Sequence, residues 1–388
     1  MCLSKYKKYS APALVLSALA LFFSAAVFLG APASAQKVKE LPPPPQGPRY
    51  KPKPTPTPVP TPAPEYEVIK VSSNLVVVPV SVTNTQGQPV LGLKLADFHI
   101  EEDGHAQEVA QLGDPEQVPL DIALLIDVSS SVSERFGFEE EAATKFLKQV
   151  LRPMDHATVY AIDRTPRLEQ ARASADVATA SLMTIKAATV ATPTAFYDTV
   201  IEAARYLSQN TPEQSRRVIV VISDGEDNFS NRVRDPAIAA NQATQADGND
   251  TPAAAKARLR SSFEAALLEG HRQAQAEMKQ EVQKANAVFY SINPSGEGLK
   301  LNVISTRAQN AMQQLAVSTG GNAFVPGTTE DLEPVFGRII SELRAQYLLQ
   351  YYSDNKSARS DFRRIVIATP AQPQLRVRAR EGYYPKAK

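Results

Sequence analysis

The chain has 388 residues, of which 43% are hydrophobic and 21% charged, and its formal net charge is +1. The length suggests two or three folded units, and the balanced charge excludes a general nucleic-acid-binding class, whose members carry a strong basic excess. One cysteine and four histidines without metal-ligand spacing exclude a disulfide framework and a cysteine- or histidine-based zinc site. Any metal here must therefore be held by oxygen atoms.

Residues 1–35 have the pattern of a secretory signal peptide. Three lysines precede an apolar stretch, 11–29, which is followed by the small residues Ala33-Ser34-Ala35. We expect cleavage after Ala35 and export to the periplasm, the cell surface or the medium. The alternative is an uncleaved anchor, because the apolar stretch is nearly long enough to span a bilayer. A membrane is expected as a partner only through this segment.

Residues 36–66 form a proline-rich linker in this interpretation. Twelve of the 30 prolines lie between Pro42 and Pro64, many of them at alternate positions. Such a segment favours polyproline II, because proline removes the backbone donor that helices and sheets need. At about 3.1 Å per residue the stretch from Pro42 to Pro64 would reach roughly 70 Å. This length indicates either a stiff spacer or a featureless linker.

Two β-rich segments flank the rest of the chain. Residues 67–116 form a small β-rich flank, and Asp103-Gly104 within it predicts a tight hairpin turn. Residues 346–388 form a C-terminal β segment. Neither segment alone has enough strands for a stable sheet, so we expect them to pack together as one composite β unit. The strand candidates are Leu75–Val82, Val90–Leu93, Phe98–Ile100, Gln346–Tyr352, Phe362–Ala368 and Leu375–Arg380.

Residues 117–345 alternate apolar strand-like runs with helical stretches, which predicts an α/β fold. The runs are apolar throughout, as in a doubly wound, mostly parallel, Rossmann-like sheet covered on both faces. The predicted strands are Ile122–Ile126, Thr158–Ile162, Val218–Ile222, Ala287–Ile292 and Ala323–Val325. The predicted helices are Phe138–Leu151, Ala195–Leu207, Pro252–Asn286, Gln309–Ser318 and Asp331–Leu343.

Two features of the sequence allow more than one interpretation. The segment Asn231–Asp250, rich in Ala, Gln and Asn, is expected to be a loop, either a plain insertion or a partner-recognition element. Arg376, Arg378 and Arg380 fall on one face of the last strand. With Arg363 and Arg364 they form either a solvated sheet face or a basic patch for an acidic glycan or lipid.

Oxygen-bearing side chains follow the first strand of the α/β segment. Asp127, Ser129 and Ser131 alternate directly after Ile122–Ile126. Ligands of open α/β sheets bind at the carboxyl ends of strands. A carboxylate with two hydroxyls suits a hard cation such as Mg²⁺. The alternative is helix capping, because Ser and Asp are common N-cap residues.

Two further elements share this position relative to the strands. Thr194 begins a helix, and Asp224-Gly225 follows the strand Val218–Ile222. Asp127-x-Ser129-x-Ser131, Thr194 and Asp224-Gly225 together resemble the metal-ion-dependent adhesion site of von Willebrand factor type A domains. The flanks add a resemblance to bacterial exported proteins related to that family. The matching pieces are Asp97-Phe98 with Glu102-Asp103-Gly104, Thr194-Ala195-Phe196-Tyr197-Asp198, Ser318-Thr319-Gly320-Gly321 and Arg380-Glu381-Gly382-Tyr383-Tyr384.

The resemblance implies a non-enzymatic binding or adhesion protein. Its divalent cation, Mg²⁺ in preference to Mn²⁺ or Ca²⁺, would be held by Asp127, Ser129, Ser131, Thr194 and Asp224. An Asp or Glu of a protein partner would complete the coordination. Glu226 and Asp227 depart from this scheme, because they add negative charge that would weaken an acidic partner or supply another ligand.

Two other functions stay open. The chain could be a structural component of an envelope complex in which the metal only stabilises the fold. It could also be a metal-dependent hydrolase with Asp127 or Ser129 as nucleophile, although no His, Lys or Cys stands in a motif near the serines to act as base.

Overall fold

A computed structural model of the chain describes residues 75–244, 252–296, 303–355, 357 and 361–385. The predicted signal peptide (1–35), the proline-rich linker (36–66) and the start of the β-rich flank (67–74) lie outside these residues. The described residues belong to a compact unit that spans Lys70–Lys388. None of the helices in the described ranges is long and apolar enough to cross a membrane.

The structure has fourteen strands and seven helices within the described residues. The strands are β1 (Leu75–Thr83), β2 (His99–Glu102), β3 (His105–Gln107), β4 (Val109–Gly113), β5 (Leu120–Asp127), β6 (His156–Ile162), β7 (Pro166–Ala173), β8 (Arg216–Ile222), β9 (Ala287–Ile292), β10 (Ala323–Phe324), β11 (Tyr347–Tyr352), β12 (Arg363–Ala368), β13 (Arg376–Arg378) and β14 (Gly382–Tyr383). The helices are α1 (Phe136–Val150), α2 (Ala175–Leu182), α3 (Phe196–Asn210), α4 (Asn231–Thr244), α5 (Pro252–Lys284), α6 (Val303–Thr319) and α7 (Leu332–Arg344).

A six-stranded sheet forms the centre, in the order β10-β9-β8-β5-β6-β7. All neighbours are parallel except β7, which runs antiparallel to β6 at the edge. Every residue of β5 is buried, because its side chains alternate between two apolar cores. Ile122, Leu124 and Ile126 pack with α1, α2 and α7, whereas Ala123 and Leu125 pack with α3, α5 and α6. The predicted doubly wound, mostly parallel α/β fold is therefore confirmed.

The two flanks form two antiparallel sheets with interleaved strands, β13-β1-β11-β4 and β14-β12-β2-β3. β1 lies between β11 and β13, and β2 pairs with β12. The predicted β unit built from N- and C-terminal segments is thus confirmed. Asp103 and Gly104 form the predicted turn, with φ values of 50° and 81°. The predicted strand at Val90–Leu93 is wrong, because Gly92 takes a φ of 84° and the Leu93 N–H bonds the Tyr347 hydroxyl instead of a neighbouring strand.

A buried carboxylate joins the two flanks. Glu102 of β2 is 2% exposed and accepts hydrogen bonds from the Tyr351 hydroxyl at 2.7 Å and the Ser353 hydroxyl at 2.7 Å. The Arg363 guanidinium, 7% exposed, pairs with it at 3.3 Å, and the Tyr383 hydroxyl donates at 3.1 Å. The N-terminal flank therefore supplies the acceptor, and the C-terminal segment supplies four donors.

Three of the five C-terminal arginines form neither a basic patch nor a solvated face, whereas Arg364 and Arg376 are exposed. Arg363 is buried against Glu102 of the β unit, and Arg378 pairs with Glu342 of α7 at 2.7 Å. Arg380 donates to Asn286 and to the Val77 carbonyl. Both interpretations of this face are thus wrong for Arg363, Arg378 and Arg380, because Arg363 holds the β unit together and the other two join it to the α/β part.

The predicted loop at Asn231–Asp250 is helical over Asn231–Thr244. The helix contains four alanines and two arginines, which favour helices, and it packs on α5. Pro236 has no N–H for the Arg232 carbonyl, and that carbonyl faces Gly270, where a Cβ would lie only 2.4 Å from the oxygen. The loop prediction for this segment is therefore wrong over Asn231–Thr244. These residues form a helix whose backbone lies close to Gly270 of α5. Residues 245–250 lie outside the described ranges.

We expect Glu102→Ala to lower the free energy of unfolding by about 3–5 kcal/mol, because Arg363 would be left buried without its carboxylate. Denaturant unfolding of the purified protein measures this. Glu101→Ala is the matched control, since this neighbouring carboxylate is 40% exposed and its partner is an exposed histidine. It should change the value by no more than about 0.5 kcal/mol. Equal effects of the two substitutions would contradict the role given to Glu102.

Candidate functional site

Asp127 ends the central strand beside the end of β8. Ile126 pairs with Ile222, so the loops that follow these two strands start side by side. The Asp127 side chain is 1% exposed; its Oδ1 accepts the Ser129 N–H at 2.8 Å and its Oδ2 accepts the Ser223 hydroxyl at 2.7 Å. The carboxylate is thus oriented by one donor from its own loop and one from the neighbouring loop.

The first loop does not use its polar side chains to cap a helix. Ser129 precedes a short 3-10 turn at 130–132 and Arg135 precedes α1, and neither side chain makes a capping hydrogen bond. Ser129 is 8% exposed, and its hydroxyl is hydrogen-bonded to the Asp127 carboxylate. The capping alternative is therefore wrong for Ser129. The side chain of Ser131 lies outside what the structure describes.

Thr194 is held against the loop that follows β8. Its N–H donates to Asn228 Oδ1 at 2.8 Å, and its carbonyl accepts the N–H groups of Asn228 and Phe229, both at 3.1 Å. The Ala195 N–H donates to the Asp163 carbonyl at the end of β6. Thr194 is 8% exposed. The loops after β6 and β8 and the start of α3 are thereby fixed at one edge of the sheet.

Asp224 lies close enough to Asp127 for the two carboxylates to repel. Burial, followed by the charge of Asp127, raises the pKa of Asp224 to about 6. Burial also raises the pKa of Asp127, against the hydrogen bonds from Ser223 and Ser129. The charge of Arg135 lowers both pKa values but does not offset burial. A buried and a half-buried acid of this kind favour a bound cation, which would stabilise both ionised forms.

Asp227 and Glu226 are turned away from this pair. Asp227 accepts the Tyr197 N–H at 2.8 Å through Oδ2, and Oδ1 accepts the N–H groups of Phe229 and Ser230. Glu226 Oε1 accepts the Ser305 hydroxyl of α6 at 2.6 Å. Asp227 is therefore a structural acceptor at the start of α3, and the alternative that it ligates a metal is not supported by its contacts.

Sequence reasoning missed an ion pair behind the first loop. Glu139 of α1 is fully buried, and its Oε1 accepts the Arg135 Nε at 3.1 Å. Arg135 Nη2 donates to the Ser295 hydroxyl after β9 at 3.1 Å. Burial raises the pKa of Glu139 to about 8. One sequence pattern could have indicated this pair. Glu139 follows Arg135 by four residues and lies on the apolar face of the predicted helix Phe138–Leu151.

The donor set fits a hard divalent cation. Asp127, Ser129, Thr194 and Asp224 offer only carboxylate and hydroxyl oxygens, which suit Mg²⁺ better than soft metals. Among the described residues, no three His, Cys, Asp or Glu side chains are grouped as a metal site. A cation at this edge would therefore depend on the hydroxyl groups as well as the two carboxylates.

Comparisons with known proteins were made by sequence and by structure. No protein-family profile matches the chain, and no curated protein matches it. Similar solved structures include proximal thread matrix protein 1 from the mussel byssus, with 13% identity over 61% of this chain and 49% of that one, at a TM-score of 0.38. The chain thus spans about half the length of the mussel protein. One crystal structure of that protein has a zinc-occupied metal-ion-dependent adhesion motif.

Bacterial structures are also similar. The von Willebrand factor domain of the type V pilus tip protein Mfa5 from Porphyromonas gingivalis is 14% identical over 57% of this chain and 94% of that one, with a TM-score of 0.39. A von Willebrand factor type A protein from Catenulispora acidiphila is 13% identical over 71% and 51%, with a TM-score of 0.40. These two bacterial structures are thus described as von Willebrand factor domains. Because the TM-scores are low, the fold assignment rests on the strand order and helix layers of this chain.

A histidine supports the helix that begins beside Thr194. Tyr197 of α3 contacts His271 Nδ1 through its hydroxyl at 3.2 Å and accepts the Gln275 amide at 3.0 Å. His271, on α5, is buried, and burial followed by the charge of Arg307 lowers its pKa to about 4. His271 is therefore neutral at pH 7 and links α5 to α3.

Acid should weaken this link in a defined pH window. The unfolded chain protonates His271 near pH 6.5 and the folded chain only near pH 4, so stability present above pH 6.5 is lost as the pH falls toward 4. Between pH 7 and 4.5 the free energy of unfolding should fall by about 2–3 kcal/mol more in the wild type than in His271→Gln. Denaturant unfolding at both pH values measures the difference, and parallel pH curves for the two proteins would refute it.

Proposed function

We propose that the protein is an exported, non-enzymatic binding protein that holds a divalent cation and binds a protein partner through it. Asp127, Ser129, Ser131, Thr194 and Asp224 are the proposed ligands, and Mg²⁺ is the proposed metal. The observation that carries the proposal is the buried Asp127 at the end of β5 with the half-buried Asp224 after β8, and with Ser129 and Thr194 at the same edge.

The coordination positions that the protein leaves open explain how such a site would take a carboxylate from a partner. Asp127 and Asp224 together neutralise one dication, and the hydroxyl ligands bring no further charge. Mg²⁺ wants six oxygen ligands and keeps water in the positions that the protein leaves open. A partner's Asp or Glu would replace one such water with a charged ligand, which binds more strongly than a neutral one.

The contacts of Asp127 favour binding over hydrolysis. Both of its oxygens accept hydrogen bonds, from the Ser129 N–H and the Ser223 hydroxyl, which fix the carboxylate as an oriented acceptor. A hydrolytic nucleophile at Ser129 would need a neighbouring base, and the buried His271 bonds Tyr197 instead. A structural role for the metal in an envelope complex is the second candidate, because the same ligands would also stabilise the loops.

Removal of one carboxylate should weaken metal binding without unfolding the protein. We expect Asp224→Asn to weaken Mg²⁺ or Mn²⁺ binding by roughly tenfold or more, a loss of about 1.4 kcal/mol, as measured by isothermal titration calorimetry. The same variant should melt at or above the wild-type temperature in the absence of metal, because the repulsion by Asp127 is relieved. Asp176→Asn, an exposed acid on α2, is the control. Metal binding by Asp224→Asn equal to that of the wild type would refute the ligand set.

Partner capture separates binding from a purely structural role. The purified wild-type protein and Asp127→Ala are used as baits for an envelope extract with Mg²⁺ or with a chelator, and the captured proteins are identified by mass spectrometry. A protein held only by the wild type and only with Mg²⁺ is the expected result. Partners retained equally in the chelator and by Asp127→Ala would favour the structural role, and turnover of generic phosphate or ester substrates would favour a hydrolase.

A further inference from the structure

Two arginines lie over one aromatic ring beside the candidate metal site. The guanidinium carbons of Arg164 and Arg234 are 4.5 Å and 4.8 Å from the centre of the Phe229 ring. Both distances lie within the range at which a cation is attracted to an aromatic face. The ring therefore orients both positive groups, and we call these three side chains the arginine cluster.

The arginine cluster borders the loops that carry Thr194 and Asp224. The Phe229 N–H donates directly to the Thr194 carbonyl at 3.1 Å. Arg164 follows Asp163, whose carbonyl accepts the Ala195 N–H at 2.9 Å. The arginine cluster is thus connected by backbone hydrogen bonds, through Phe229 and through Asp163 next to Arg164, to the peptide bond between Thr194 and Ala195.

The charge of Arg164 is not neutralised by any described residue. Arg234 pairs with Asp235 at 2.7 Å and donates to Asn231, and nearby Arg167 pairs with Asp163 and Glu169. Arg164 is exposed, and no ion pair joins it to another residue in the described ranges. Its planar fork of donors is suited to a carboxylate, which it can bind through two parallel hydrogen bonds.

We propose that the partner presents two carboxylates on one acidic segment, the first binding the cation and the second binding Arg164. This inference rests on the proposed function, since it adds a second contact to the same surface. The cation site already holds two carboxylates of its own, so a second acidic group of the partner needs a positive charge outside it. Arg164 supplies that charge in a fixed place, and the contact is exposed enough to weaken with salt.

Synthetic peptides test this contact. The probes are a fluorescent glycine peptide with one Glu and a series with a second Glu placed one to four residues further on, each titrated in Mg²⁺ and in chelator. We expect at least one two-Glu peptide to bind the wild type roughly tenfold more tightly than the one-Glu peptide, as for one added charge-assisted hydrogen-bonded contact. Arg164→Gln should lose this gain, so that both peptides bind it equally.

Two further variants show whether the position of the charge matters. Arg167→Gln removes an exposed arginine of β7, three residues after Arg164, that already has carboxylate partners, and it should keep the full gain. Phe229→Leu keeps both arginines but removes the ring that orients them, and it should keep only part of the gain. Thermal melting of each variant checks that it is folded.

The outcomes separate this inference from the proposed function. Mg²⁺-dependent binding of the one-Glu peptide with no gain from a second Glu, or with the same gain in Arg164→Gln, overturns the second contact and leaves the metal-dependent function standing. Arg164-dependent binding that persists in chelator, to the peptides or to a sulfated polysaccharide, overturns the paired recognition. Absence of binding by every peptide also overturns it, while Mg²⁺ calorimetry still reports on the metal site.

Discussion

The Asp127 carboxylate, buried at the end of β5, and the Asp224 carboxylate, half-buried after the end of the neighbouring β8, are the constraint around which this edge of the protein is arranged. Burial raises the pKa of both groups, and the charge of Asp127 raises that of Asp224 further. Ser129 and Ser223 donate hydrogen bonds to Asp127, and Arg135 lies near enough for its charge to lower the pKa of Asp224 against the larger effect of burial. Arg135 itself is fixed by Glu139 and Ser295. The arrangement lowers the cost of the two carboxylates without neutralising them, which leaves a place for a cation.

The composite β unit constrains the opposite end of the α/β part. The C-terminal end of α7 is held by Arg216, whose Nη1 donates to the Leu343 carbonyl at 2.8 Å, and by the pair between Glu342 and Arg378. α7 then leads through two residues into β11, which lies between β1 and β4. Sliding of α7 along its axis would break a buried ion pair and shift a central strand of the β unit. The structure therefore favours one position of α7, and a binding surface that does not depend on helix movement.

The strands of the central sheet and the site loops could be predicted because local patterns specify them. A buried parallel strand is apolar throughout, so Ile122–Ile126 and Val218–Ile222 stood out, and the polar residues that follow marked the strand ends. β7 was missed because it is a half-exposed edge strand of mixed polar residues. α4 was missed because its polar composition suits a loop as well as a helix, and its packing against Gly270 is set by α5, which follows it in the chain. The pairing of Glu102 with Arg363 joins residues 261 positions apart, and no local pattern reports it.

The loop that follows β8 shows what the sequence alone could not decide about the site. Asp224-Gly225-Glu226-Asp227 offers three carboxylates within four residues, and the spacing does not tell which one faces a cation. The backbone separates them. Gly225 takes a φ of 75°, and a Cβ there would lie 2.7 Å from the Met312 side chain, so only glycine allows this turn.

Beyond this turn, Glu226 reaches Ser305 of α6, and Asp227 turns inward to the first residues of α3 and α4. Burial, followed by the charge of Asp127, raises the pKa of Asp224, and the charge of Glu226 adds to this. The loop thus places Asp224 near Asp127, uses Asp227 to hold the start of α3 next to Thr194, and joins Glu226 to α6.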